Sequence, residues 1–590
     1  MHQTFAGPRR VAAAAFVALA ALAPAAADAA CHVKMIEMHV QMMGTRAITT
    51  VGINGQDVPL LVDTGAFYSS LSDSAAAQLN LPLRRAPREL MVEGITGRVL
   101  VHLTTVPELK LLKGTIPGVD FIVGGNELDH GAMGLMGRNL LSAADTEYDL
   151  AHGVIRFVFP NEDCLTENMA YWAEPGTGIS RIDLLHTYDT EFRHQSLRAY
   201  AKINGQQVEV LFDTGATSVV TLSAARRAGV KPDDLVPDGE LHGVGKGSAQ
   251  AWTARFDSFE LGGEQINHNT LEVADFESTE GEMLLGADFF LSHHIYVSAQ
   301  QKRMYFTYNG GPVFALNKAA HAAPAASAAL DADGYGRRGA ASRARGDLAG
   351  ALADLDHACA LAPGNPDWLV ARAAVYQALK QTPKALADLD AALALSPALP
   401  EARLQRAWLR HDAAQDDAAL ADLAELDRTL PPQADGRLSM AYLYDAVAQP
   451  AAAVPQLDRW IAAHPREVRL DQALAGRCWA RVRLGSELEK AQADCDAALD
   501  LNERAETLSL RGLVRLRQAR WDGARKDFDA ALAKDPRDAT ALYGRGVART
   551  HLGDARAGEI DFALARAQEA QIDARMKRLG LAAPQPGAQK

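Results

Sequence analysis

Two patterns of apolar and polar positions divide the chain. From about Ala47 to Tyr308, short apolar runs such as Pro59-Leu60-Leu61-Val62 and Arg303-Met304-Tyr305-Phe306 alternate with Gly, Asn and Asp. That punctuation predicts short strands joined by tight turns. From about Leu330, Ala, Leu, Arg and Asp recur at helical spacing. Between them, residues 310–329 hold Pro312, Pro324 and many alanines, the composition of a linker. A third pattern fills residues 1–30: Arg9-Arg10, an uncharged apolar run from Val11 to Leu22, Pro24, then small residues to Ala30. This layout predicts a secretory signal peptide with a cleavage site at Ala27-Asp28-Ala29. The run is too short to span a bilayer, and no later segment offers about 20 apolar residues. The expectation is an exported protein of the bacterial periplasm. Lipid attachment at Cys31 is the weaker reading, because Asp28 stands where a lipoprotein signal carries an aliphatic residue.

The β-patterned half is internally duplicated. Ile53-Asn54-Gly55-Gln56-Asp57-Val58 leads into Pro59-Leu60-Leu61-Val62-Asp63-Thr64-Gly65-Ala66. Ile203-Asn204-Gly205-Gln206-Gln207-Val208 leads into Glu209-Val210-Leu211-Phe212-Asp213-Thr214-Gly215-Ala216, offset by 150. Each copy reads as an Asn-Gly hairpin feeding a buried strand that ends in an Asp-Thr-Gly loop. A second match follows in order: Leu135-Met136-Gly137 with Leu284-Leu285-Gly286, offset by 149. One Asp-Thr-Gly is an ordinary turn sequence. Two of them, each followed by a hydrophobic-hydrophobic-Gly element, mark a duplication.

On these residues, 45–310 resembles the aspartic proteases, and the Ala66 and Ala216 variant resembles the retroviral-type (retropepsin-like) group. The resemblance implies an all-β, two-lobed acid-protease-like domain, lobe 1 over residues 45–160 and lobe 2 over 161–309. It implies Asp63 and Asp213 as the catalytic pair, with Thr64, Gly65, Ala66, Thr214, Gly215 and Ala216 forming the active-site loops. It implies that the hydrophobic-hydrophobic-Gly elements pack behind those loops. The flap candidates are Gly94 and Gly97 in one copy and Gly243, Gly245 and Gly247 in the other. Neither flap holds a tyrosine, which separates the chain from the pepsin type. Two lobes fused in one chain depart from the retroviral pattern of paired identical chains.

The chemistry explains the need for two copies. Peptide hydrolysis needs a base to deprotonate water and an acid to protonate the leaving nitrogen. Adjacent carboxyls share one proton and supply both, with pKa values that belong to the pair. Each glycine permits a tight loop that a side chain would obstruct. Each threonine hydroxyl would hydrogen-bond across the pseudo-twofold. No metal or organic cofactor is called for.

In the helical half, Ala351, Ala385, Ala419 and Ala453 are 34 apart, as are Pro363, Pro397, Pro431 and Pro465. A period of 34 with two helices per unit matches the tetratricopeptide repeat. Residues 330–581 therefore read as an all-α solenoid of seven units, the last incomplete. An insertion falls in the fifth unit near residues 466–470 or 484–488. Such solenoids present surfaces for extended peptides, so a protein partner is expected here.

Composition changes little. Of 590 residues, 48% are hydrophobic and 23% charged, which is ordinary globular usage. A net charge of −13 argues against nucleic-acid binding. Five cysteines exclude a disulfide-rich scaffold but leave room for bridges: Cys478 with Cys495 on facing helices, and Cys31 with Cys164, leaving Cys359 unpaired. Gly243-Val244-Gly245-Lys246-Gly247 fails as a phosphate loop because Gly247 stands where Ser or Thr is required. His293-His294 reads as a satisfied pair, not a metal site. The sequence thus points to an exported aspartic endopeptidase whose repeats recruit a protein substrate or partner, with no transmembrane segment. A non-catalytic periplasmic scaffold that binds peptides is the alternative. The lobes are expected to fold and cut without the solenoid.

Overall fold

The computed structural model describes residues 31–590 except 88–89, 91, 95–96, 100, 125–130, 186–195, 242–247, 277–280, 315–329, 466, 468 and 584–590. The predicted signal peptide and the Gly243, Gly245 and Gly247 flap lie outside the described residues. The chain divides into two compact units, Met1–Pro397 and Ala398–Lys590.

The first unit opens with one large sheet for each lobe, as the duplication predicts. In lobe 1, hairpin strands Arg46–Ile53 and Gln56–Val62 pair antiparallel. In lobe 2, Arg198–Ile203 and Gln206–Phe212 do the same. Both turns take the left-handed conformation that the Asn-Gly sequence favours, with φ of 51° and 78° at Asn54 and Gly55 and 49° and 76° at Asn204 and Gly205. Each asparagine side chain also donates to the end of a short helix, Asn54 to Leu79 O at 3.0 Å and Asn204 to Ala228 O at 2.9 Å. Each sheet rolls closed as its first strand also meets the long strand His102–Leu111 in lobe 1 or Ala249–Leu261 in lobe 2.

A six-stranded sheet joins the lobes, in the order Val33–His39, Val154–Pro160, Asp145–Asp149, His293–Ser298, Arg303–Tyr308, Ser180–Asp183. Its central pairing, Tyr148 opposite Ile295, links one copy to the other. Strand Val33–His39 precedes the residue-45 start read from the repeat, because the duplicated motif does not cover the joining sheet. One face of the seam carries buried polar groups: Asp145 accepts from Tyr296, Ser298 and Ala299 N, and Glu147 meets Arg156, Tyr171 and His294. Cys31 is bonded to Cys164, which anchors the segment carrying Tyr171 and Trp172 beside this seam.

The stretch read as a linker starts inside the core. Val313 and Phe314 are buried with the lobes, Phe314 edge-on to Phe259 at 5.3 Å. Ala340 and Ala341 of the helix Ala332–Ala344 belong to the same cluster, and Arg345 Nη1 donates to Leu291 O at 3.2 Å. A chain cut near Gly310 would strip these groups from the lobes, so independence of the lobes from everything beyond Gly310 is not what the packing supports.

Helices fill the rest, four in the first unit from Ala332 and eleven in the second, among the described residues. They form seven antiparallel pairs, and the seventh pair, Ala539–His551 with Ala555–Gln568, is complete and followed by Ile572–Arg578. An arginine on the first helix of a pair grips a buried aspartate on the second: Arg338 with Asp354, Arg372 with Asp388, Arg406 with Asp422, Arg477 with Asp494, Arg511 with Asp527, Arg545 with Asp561. The fourth pair breaks the rule, with Met440 and Gln456 at those places. Arg477 sits three residues past the 34-residue register and Asp494 four, so the insertion is split between the two regions expected to hold it. Cys478 and Cys495 are bonded, Cα atoms 5.7 Å apart, and Cys359 is free.

Candidate active site

The strand Gln56–Val62 carries apolar residues into the core and delivers Asp63 at its end; Gln206–Phe212 delivers Asp213. Behind each lies the hydrophobic-hydrophobic-Gly element in parallel pairing, Met136 beside Val62 and Leu285 beside Phe212. The ladder continues one residue further, since Asp63 N donates to Met136 O and Asp213 N to Leu285 O, each at 3.0 Å.

Two loops then interlock across the lobes. Thr64 N donates to Thr214 Oγ1 at 3.1 Å and Thr214 N to Thr64 Oγ1 at 3.0 Å. Each hydroxyl passes its proton to the opposite strand, Thr64 Oγ1 to Phe212 O at 2.8 Å and Thr214 Oγ1 to Val62 O at 2.7 Å. Both threonines are buried. A missing partner here would leave main-chain groups unsatisfied in the interior, so the reciprocal bonds fix the lobes in one register.

This register brings Asp63 and Asp213 together. A Cβ on Gly65 would lie 2.5 Å from Asp213 Cγ, and one on Gly215 2.6 Å from Asp63 Oδ2. Each glycine is thus the space that the opposite carboxyl needs. Asp63 Oδ1 accepts from Ala66 N at 2.8 Å, and Asp213 Oδ1 from Gly215 N at 2.8 Å. Burial holds both carboxyls above their ordinary range, and the neighbouring Asp213 charge lifts Asp63 further. The pair therefore keeps a proton where isolated carboxyls would both be ionised. Chemically it offers one proton donor and one acceptor side by side.

The other sequence-predicted residues fall as follows. Gly94 and Gly97 are opposite each other in a two-stranded hairpin, Val92–Gly94 with Gly97–Val99. His293 is buried, stacked on Phe289 at 4.0 Å and bonded to Phe289 O and Glu264, while His294 stacks on Trp172 at 3.9 Å. No group of three His, Cys, Asp or Glu side chains among the described residues is placed to hold a metal ion.

Two supporting pairs escaped the sequence reading. Ser69 N and Oγ both donate to Asn139 Oδ1 at 2.7 Å, and Ser218 N and Oγ donate to Asp288 Oδ1 at 3.0 and 2.7 Å. Each hydroxyl in turn accepts the amide of Gly137 or Gly286 at 2.9 Å. Their signal was present: Asn139 and Asp288 each stand two residues after the glycine of the repeated element.

Comparison with known proteins agrees with this geometry. Residues 49–143 match the family described as "gag-polyprotein putative aspartyl protease", and residues 199–289 match the family described as aspartyl protease. No curated protein matches the chain. Among solved structures, a tetratricopeptide repeat protein from Parabacteroides merdae is 24% identical, with 38% of this chain and 84% of that one covered at a TM-score of 0.26. The Cut9–Hcn1 assembly of the APC/C is 14% identical, covering 42% and 49% at 0.31, and MamA is 17% identical, covering 30% and 94% at 0.25.

Proposed function

We propose, on the premise that the N-terminal part of the chain carries two aspartyl protease segments followed by tetratricopeptide-type repeats, that it is an exported aspartic endopeptidase. Asp63 and Asp213 form its catalytic pair. The pair shares one proton; with that proton on Asp63, Asp213 is the charged partner. Asp213 takes a proton from water as the water oxygen bonds to the scissile carbonyl carbon. Asp63 gives its proton to the carbonyl oxygen, making a tetrahedral diol. As the diol collapses, one of its hydroxyls returns a proton to Asp63, the C–N bond breaks, and Asp213 gives its proton to the departing nitrogen, which restores the starting state.

The observation that carries this reading is the reciprocal Thr64–Thr214 bonding, which makes one site from two half-sites. The 92–99 hairpin supports it as a flap that closes over an extended peptide by strand addition. Export is supported by the Cys31–Cys164 and Cys478–Cys495 bonds, which suit an oxidising compartment, and by the signal-like start of the sequence. The Cys31–Cys164 bond favours this reading over lipid attachment at Cys31. The helical repeats recruit the protein substrate or a partner. The test is incubation of the full chain with a denatured protein mixture, beside Asp63→Asn. Fragments formed by the wild type and absent with the variant support the reading. Intact substrate with both overturns it in favour of peptide binding without cleavage.

A further inference from the structure

The last helix of the chain covers a face that stays open in earlier repeats. The first helices of successive pairs are neighbours in the second unit. The residue two places past the pairing arginine, or past Met440 in the fourth pair, therefore recurs along one face: Trp408, Tyr442, Trp479, Leu513, Val547. In the third to fifth pairs this place carries an aromatic ring, half-buried at Trp408 and Trp479 and 36% exposed at Tyr442. In the sixth and seventh pairs it is sealed, with Leu513 at 0% and Val547 at 3%. Both belong to one buried cluster with Ile572, Met576, Leu579 and Leu581, from the helix Ile572–Arg578 and the residues after it.

Hydrogen bonds trace how that segment lies. Arg575 Nη2 donates to Thr540 Oγ1 at 2.9 Å, near the start of the helix Ala539–His551. Leu579 O accepts from Arg517 Nη1 at 2.7 Å, at the end of the helix Ala505–Arg517 one pair further back. Ala583 N then returns to the Tyr543 hydroxyl at 2.9 Å. The segment thus crosses from the seventh pair to the sixth and comes back. A helix that only continued the array would follow Ala539–His551; this one reaches past it to Arg517.

The pattern of the segment is amphipathic. Ile572, Met576 and Leu579 are buried at i, i+4 and i+7, while Ala574, Lys577 and Arg578 are exposed. That is the spacing by which a helix lays its apolar face into a groove. Gly580, at φ 71°, stops the helix, and Leu581 N closes the stop on Met576 O at 2.9 Å. The attachment is short, seven helical residues against 13 and 14 in the helices of the seventh pair.

We infer that residues 572–583 are a built-in occupant of the binding face of the repeats, and that the external ligand of this face is an amphipathic helix of a client or partner protein, with apolar residues at i, i+4 and i+7. The inference deepens the reading of the repeats as a recruiting surface and rests on it. The incoming helix displaces residues 572–583 from Leu513, Leu516, Tyr543 and Val547, offers its last carbonyls to Arg517, and gains the open rings of Trp479 and Tyr442. A tethered segment acts at an effective concentration on the order of millimolar. If its own affinity is about 10–100 µM, a free helix binds roughly 10- to 100-fold more weakly than it would to an open face.

Hydrogen exchange on the full chain reads whether the segment opens. Amides of Ile572–Arg578 should be protected only about 10- to 100-fold, and those of Ala539–His551 far more. Equal protection makes the segment a fixed part of the core and overturns the inference. Fluorescence anisotropy then follows two labelled peptides, residues 569–583 and an unrelated helix with leucines at i, i+4 and i+7. The proteins are the full chain, a chain ending at Gln571, and Met576→Glu, which loosens the segment at full length. Release should tighten binding of both peptides roughly 10- to 100-fold. Arg517→Gln in the Met576→Glu background should weaken it, and a scrambled peptide should not bind. Loss of fold in both released chains, read by circular dichroism, would likewise make the segment part of the core. Peptides that bind every chain equally leave recruitment standing and remove only the built-in occupant. Peptides that bind no chain, open or closed, count against recruitment by the repeats as well.

Discussion

Duplication does different work in the β lobes and in the helical pairs. Each helical pair carries its own ion pair, Arg372 with Asp388 or Arg545 with Asp561, and the same arginines also reach an aspartate of the preceding pair, Asp356 or Asp529. The fourth pair varies the scheme: Met440 and Gln456 stand at those places, and Gln456 accepts from Arg437 instead. Each β lobe is by contrast incomplete. The hydroxyl of Thr64 finds its acceptor, Phe212 O, in the other lobe, and Asp63 finds its chemical partner there too. Repetition in the helices adds equal parts. Duplication in the lobes makes one site that neither half contains.

The contrast is broken most severely at the interlock. Thr214→Val removes an acceptor from Thr64 N and a donor from Val62 O, both buried, and should cost about 4 kcal/mol of unfolding free energy together with nearly all activity. Thr214→Ser keeps the hydroxyl and should cost far less. Urea melts followed by circular dichroism, paired with peptide assays, would check both. A Val variant that melts like the wild type would mean that the crossed bonds do not hold the lobes.

Among the helical pairs the loss should be smaller, and it reaches the neighbouring pair, because Arg372 also bonds Asp356. Arg372→Met leaves Asp388 without the two bonds it accepts from Arg372, at 2.8 and 2.7 Å, and should cost about 3 kcal/mol. Adding Asp388→Gln removes the unpaired buried charge and should recover part of that loss. A double variant less stable than the single one would contradict the reading that the unpaired Asp388 charge carries the loss. The Cys478–Cys495 bond does lie within one pair, closing a separation of 17 residues. Replacing both cysteines by Ala should lower stability by about 2–3 kcal/mol with peptide cleavage unchanged, read by melts and kcat/KM.

Much of this contrast was legible in the sequence, for reasons that differ by region. The Asp-Thr-Gly loops could be read because each needs a glycine where the opposite carboxyl packs, and a glycine leaves a fixed mark. The Asn-Gly turns could be read because few residues accept their positive φ. The 34-residue period gave the helical pairs. What escaped depends on partners far apart in the chain. The joining sheet pairs Tyr148 with Ile295, a contact that no local pattern encodes. Phe314 looked like linker because a single aromatic among prolines and alanines carries no periodicity, yet it is buried against Phe259. The difference between offsets of 150 and 149 was visible, but only the Ser69 and Ser218 hydrogen bonds locate it between Ala66 and Ser69.

The smallest expected effect is one of sign. Both carboxyls of the pair are held above the ordinary value of 3.8, so the folded state keeps protons that the unfolded chain releases. Their contribution to stability is fully present below pH 3.8 and is lost as pH rises through the raised values. Asp63→Asn removes the cost of taking up that proton on folding, so its Tm should rise above that of the wild type at pH 7, and the gap should close near pH 3. Calorimetry at the two pH values checks this, and a variant less stable at pH 7 would contradict the shared proton.

The central claim is that one site is made from two halves, and a double-mutant cycle tests it most directly. Cleavage of one peptide is measured for wild type, Asp63→Asn, Asp213→Asn and the double variant. Groups that act as a unit are strongly non-additive, so each single change should cost at least about 10³-fold in kcat and the double variant should be little worse than either. If either single variant kept about half the activity, or if the two losses multiplied in the double variant, the lobes would be acting independently and the shared pair would be wrong.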